Sequence, residues 1–135
     1  MKKARCLGFL LCLMMLLTGC TVKENRLTKL KDLDFTVVDE SDIPEEMAVK
    51  IEEGKEKPLK ITYADKGALY ICEGYGTQET SGYSIEVTDC YETENAIYIH
   101  TNLLGPSKDE EVANEATYPY IVIKIEYNEK NVVFD

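Results

Sequence analysis

Tyr83-Ser84-Ile85-Glu86-Val87-Thr88 decides the fold class, because apolar and polar side chains alternate along it residue by residue. Successive side chains of an extended strand point to opposite faces. This spacing therefore puts Tyr83, Ile85 and Val87 on a core and Ser84, Glu86 and Thr88 toward water. The same period of two runs outward on both sides. Leu59 to Tyr63 reads as a strand, with a turn at Asp65-Lys66-Gly67 and a second strand through Leu69 and Ile71 to Gly74. Ile97 and Ile99 alternate with Tyr98 and His100; Ile121, Ile123 and Ile125 alternate with Val122, Lys124 and Glu126. Asn128 to Asn131 turns the chain into Val132-Val133-Phe134. One wet face and one dry face is the antiparallel case.

Upstream the period lengthens. Phe35 to Val38 is a short strand, and Ile43, Met47 and Ile51 then recur every four residues, which predicts one amphipathic helix over residues 44–53. Ser41 or Asp42 would cap it, Pro44 suits its first turn, Glu45 and Glu46 suit its positive end, and Gly54 would stop it. The expected architecture is mainly β, α+β only by this helix: a small antiparallel sheet or sandwich with one short N-terminal helix.

The N-terminus is different in kind. Residues 1–19 hold three of the 15 basic residues, none of the 25 acidic ones, and an apolar run from Leu7 to Leu17. That run is too short to cross ~30 Å of hydrocarbon but suits a signal peptide. It ends in Leu17-Thr18-Gly19-Cys20, which resembles the lipobox of bacterial lipoproteins. The resemblance implies cleavage before Cys20 and a diacylglyceryl group on its sulfur. Acyl chains contribute ~0.8 kcal/mol per buried CH₂, so a doubly acylated Cys20 would hold stably to a membrane. The expected organisation is a signal peptide over 1–19, lipidated Cys20 and a tether over 20–34, and one β-rich domain over 35–135. The expected location is extracytoplasmic, on the bacterial cell membrane. Thr21 after Cys20 would direct a Gram-negative version to the outer membrane.

Without its leader the chain carries 12 basic against 25 acidic residues, a net charge of −13. That balance argues against nucleic-acid binding and against a polybasic membrane surface. Two cysteines, Cys72 and Cys90, remain in the domain. A disulfide between them and a pair of partly buried thiols are both open readings, since spacing does not decide pairing.

Two loops stand out: Gly74 to Tyr83, with Gln78, Glu79 and Thr80 at its polar centre, and the acidic stretch from Gly105-Pro106 to Ala116, closed by Thr117-Tyr118-Pro119-Tyr120. Loops this long in a small domain are often functional. The order of Gly76, Thr80, Gly82, Tyr83, Ile85 and Val87, then Pro106, then Thr117, Tyr118, Pro119 and Tyr120 resembles the C-terminal domain of the PrcB family, over about residues 67–126. Glu79 departs from the pattern, where the family has proline. The resemblance implies an accessory protein that associates with a protease and supports its maturation or stability. It points to Gly76, Gln78, Thr80, Gly82, Tyr83, Pro106, Tyr118, Pro119 and Tyr120 as partner-binding residues. The Gln78–Tyr83 hairpin is also similar to the inhibitory loop of chagasin-like protease inhibitors, though it lacks their Asn-Pro. An envelope adhesion module is a third reading.

Catalysis is hard to assemble. His100 is the one histidine and sits on a strand's polar face; a pairing with Cys72 or Cys90 would lack a positioned third group. No metal-ligand spacing occurs, and Asp109, Glu110 and Glu111 read as a solvated charge run. The expectation is no enzyme, no metal and no cofactor beyond the Cys20 lipid, with oligomeric state left open.

Overall fold

The computed structural model describes residues 30–135; the leader, Cys20 and most of the tether lie outside them. In chain order the elements are β1 (Lys31–Asp32), β2 (Thr36–Val37), a 3-10 turn (Glu40–Asp42), α1 (Glu45–Gly54), β3 (Pro58–Asp65), β4 (Ala68–Tyr75), β5 (Ser84–Glu92), β6 (Ala96–Leu104), β7 (Tyr120–Glu126) and β8 (Asn131–Phe134). They form two four-stranded sheets, ordered β1-β5-β6-β8 and β2-β7-β4-β3. The sheets stack as an open sandwich, and α1 covers the far face of the second.

Strand parity builds these layers. Leu69 and Ile71 of β4 and Ile123 and Ile125 of β7 meet Ile97, Ile99 and Cys90 of the first sheet in one core. Cys72 of β4 and Val122 of β7 point the other way and meet Met47 and Ile51 of α1 in a second core. The two central strands of the second sheet are thus buried on both faces, which is why β7 reads as a near-continuous apolar run. Met47 and Ile51 are 0% and 2% exposed, as their four-residue spacing predicts, while Val49 faces solvent.

Several expectations need correction. Neither Ser41 nor Asp42 caps α1: Ser41 Oγ donates to Asp39 Oδ2, and the helix begins when Ala48 N donates to the Pro44 carbonyl. Gly54 is the last residue of α1, without a left-handed φ, and a Cβ there would lie 2.8 Å from the end of the Leu59 side chain of β3. Residues 30–33, read from sequence as the end of a tether, are hydrogen-bonded to the first sheet: β1 pairs with β5 and Leu33 N donates to the Cys90 carbonyl. The pairing is not wholly antiparallel, since β8 runs parallel to β6. Alternation also breaks in β5, where a bulge between Val87 and Asp89 absorbs one residue. It lets Val87 before it and Cys90 after it both face the core, which an unbroken strand cannot do.

The strand directions sort the connections between two ends. Loops β4–β5 and β6–β7 leave one end. The β3–β4 turn, the β5–β6 turn, the β7–β8 crossing and the start of β1 lie at the other, called the base here. The β3–β4 turn is a two-residue hairpin with Lys66 at φ 48° and Gly67 at φ 78°. Two positive φ values give the turn whose twist matches that of the strands.

Candidate functional site

The two long loops join at the end of the sandwich. Gln78 N donates to the Thr117 carbonyl at 2.8 Å and Thr117 N donates back to the Gln78 carbonyl at 3.0 Å. Thr117 Oγ1 donates to the Thr80 carbonyl at 2.7 Å, Ser81 N to the Ala113 carbonyl at 3.1 Å, and Ala113 N to Ser81 Oγ at 2.8 Å. This ladder is a short antiparallel latch outside the sheets. A second anchor ties the first loop to the end of α1: Thr77 donates through both N and Oγ1 to the Glu56 carbonyl, at 3.1 and 2.9 Å.

Gly82 makes the closure sterically possible. Its φ is +92°, and a Cβ would stand 2.8 Å from Glu110 Oε2, 2.9 Å from Pro106 Cβ and 3.1 Å from Val112 Cγ1. The acidic loop folds directly over this glycine, so Gly82 and Pro106 do one steric job together. Gly76 is buried against Lys57 and Pro58. Tyr83 is half-buried, its ring edge 3.5 Å from where a Cβ on Gly105 would lie.

The aromatic residues predicted to join this surface divide. Tyr118, Pro119 and Tyr120 turn toward α1, where with Val37, Val38 and Ile43 they line a shallow groove of about 340 Å³. Lys55 Nζ sits 5.2 Å from the centroid of the Tyr118 ring, a cation–π contact. Tyr120 packs on the helix-side core, and that burial, with negative charge at Glu40, pushes its hydroxyl pKa up. The site is therefore a latched hairpin carrying Gln78, Thr80, Gly82 and Tyr83, with a groove of mixed polarity, Glu40 included, down one flank.

Beneath the latch the space between the sheets is polar. Thr101 Oγ1 donates to Glu73 Oε1 at 2.7 Å, and that uses its one proton. The Tyr75 hydroxyl, 2.6 Å from the same oxygen, is therefore the donor in that pair. Sequence reading missed this triad, Glu56 and Ser81. Their partners lie 21 or more residues away in the chain, and no local pattern reports such pairings.

The loops present Glu79, Asp109, Glu110, Glu111 and Glu115 to solvent, with Lys108 as counter-charge. Among the described residues no group of three or more metal-ligating side chains converges. Cys72 and Cys90 are both free and buried. The disulfide left open by the sequence is not formed, because the thiols face opposite sides of the second sheet, one toward α1 and one into the inter-sheet core. Burial pushes Cys72 up to about 12 and Cys90 up to about 11. His100 alternates with Ile99 and Thr101 onto the outer face of the first sheet, its Nδ1 2.9 Å from the Asp135 main-chain oxygen. Neither thiol shares that face. A concavity of about 840 Å³ lies toward the base and is lined mainly by polar groups.

Comparison with known proteins places this geometry. No curated protein and no solved structure matches the chain. The family model described as PrcB C-terminal matches residues 69–126. That segment runs from the start of β4 to the end of β7. It holds the inner strands of both sheets, both long loops and the whole latch; α1, β3 and β8 lie outside it. Over these residues the chain is similar to the PrcB C-terminal domain.

Proposed function

We propose that the protein is an accessory subunit that associates with a surface or secreted protease and stabilises it, docking through the latched loop end. The observation that carries this reading is that the family segment begins and ends so as to include both loops and the ladder between them. Preorganised loops bind with less ordering cost than free ones. Tyr83 and the Tyr118–Tyr120 groove offer aromatic anchors beside polar Gln78 and Thr80. Lipidation of Cys20 would hold the subunit on the extracytoplasmic membrane face beside its partner.

The inhibitor reading has less support. A hairpin that blocks a cleft needs free backbone groups, and here the N–H and carbonyl of Gln78, the Thr80 carbonyl and the Ser81 N–H are already taken by Ala113 and Thr117. The deciding experiment is purification of the tagged, lipidated protein from its own membranes with identification of co-purifying proteins. A protease is expected, and Tyr83→Ala together with Gln78→Ala is expected to reduce its recovery. Recovery of no protease, with protease levels unchanged after gene deletion, would overturn the proposal. Inhibition of a papain-like protease by the soluble domain would favour the inhibitor.

A further inference from the structure

We infer that the base of the sandwich rests against the bilayer and the latched loops point away from it. The inference relies on the proposed lipid on Cys20 and on where the described chain begins. Leu30 N donates to the Glu92 carbonyl at 2.7 Å, and Lys31 pairs with Glu92 at the last position of β5. The polypeptide therefore joins the sandwich at the base. Residues 21–29 separate Cys20 from that point, and nine residues reach at most about 30 Å. β5 spans nine residues, so the loops it leads from stand about 27 Å beyond the base.

The surface chemistry agrees. Of the large apolar side chains left exposed, Leu30 (58%) and Tyr127 (55%) both lie at the base, where Tyr127 N donates to the Gly67 carbonyl. Phe35, also exposed, lines the concavity just above them. Aromatic and aliphatic groups of this kind partition into the interfacial layer of a bilayer. The tether supplies Lys23, Arg26 and Lys29 against one acid, Glu24, so the stretch next to the lipid is basic while the folded domain is acidic. Basic residues are drawn to an anionic leaflet. The occupant of the base is accordingly the headgroup layer that holds the anchor, and the loop end is left free for a protein standing above the membrane.

The test uses the full lipidated protein in vesicles of phosphatidylethanolamine and phosphatidylglycerol that carry a headgroup nitroxide. A fluorophore is placed on Lys66→Cys or Glu129→Cys at the base, or on Glu79→Cys or Glu111→Cys at the loop end. Buried Cys72 and Cys90 stay unlabelled under native conditions. Base labels are expected to be quenched several-fold more than loop labels. Leu30→Ser with Tyr127→Ser should weaken base quenching while the protein still floats with the vesicles. Equal quenching at both ends, or stronger quenching at the loops, in protein that still floats would overturn the orientation and leave the anchor intact. Base quenching unchanged by the double substitution would overturn the apolar contact. Failure to float, with Cys20→Ala behaving like the parent, would overturn the anchor and this inference together.

Discussion

Gln78 and Thr117 exchange both of their backbone hydrogen bonds, at 2.8 and 3.0 Å, although 39 positions separate them in the chain. Neither belongs to a sheet. The pair converts two loops that sequence can treat only separately into one surface, and the Thr117 side chain extends the contact to Thr80.

Thr117→Val tests that extension. It keeps the backbone pair and removes the hydroxyl that donates to the Thr80 carbonyl. A loss of about 1 kcal/mol in denaturant unfolding is expected. Amide exchange should speed up at Gln78 and Ser81 and not at Ile71 or Ile123, which sit in the core.

Gly82→Ala should cost more than Gly67→Ala. Both glycines have positive φ, +92° and +78°, so both substitutions carry a backbone penalty of about 1–2 kcal/mol. At Gly67 an added Cβ meets nothing within 4 Å, whereas at Gly82 it meets Glu110, Pro106 and Val112. The difference between the two variants in thermal unfolding isolates the packing of the acidic loop on the hairpin. Equal losses would show that the loop does not close there.

The two thiols should be silent in the native state. With Cys72 held at about 12 and Cys90 at about 11, both are protonated and shielded at neutral pH. A thiol reagent should titrate them only after unfolding, and non-reducing mass analysis should find no link between them. The folded state keeps protons that an unfolded thiol, with an ordinary value of 9.0, releases. Their contribution is therefore complete below pH 9 and is lost as pH rises toward 11–12, so stability should fall across that window. Cys90→Ala should flatten the fall.

Glu92 sets the acid side. It accepts from Lys130 Nζ at 2.8 Å and from Asn128 Nδ2 at 3.0 Å, and these bonds hold its carboxyl below the ordinary value of 4.5. A depressed carboxyl contributes stability above its unfolded pKa and loses it as pH falls through the folded one. Glu92→Gln should lower stability at pH 7 and reduce the slope of the unfolding midpoint below pH 4.5. The same three residues tie the β7–β8 crossing to the base, so amide exchange in β8 should rise in that variant.

The sequence by itself determined the class of the fold. Alternation in β3 to β7 and the four-residue spacing of Ile43, Met47 and Ile51 are local patterns, and burial acts on them directly. The two loops were legible for the same reason, as polar, glycine-bearing interruptions between apolar strands. Tertiary structure alone decided what joins what. The Val87/Asp89 bulge shifts parity by one residue to suit a partner strand, and nothing in Thr88 announces it. Residues 30–33 join the first sheet because β1 gains its hydrogen bonds from β5, some sixty residues away. Cys72 and Cys90 were separated by a sheet rather than joined across it, since the face each takes depends on its own strand's partners. Tyr120 went to the helix side because it shares with Val122 the face of β7 that packs on α1, and Tyr118 and Pro119 line the groove beside it. Each of these depends on long-range pairing, whose free energy is shared between distant segments and leaves no mark in either one alone.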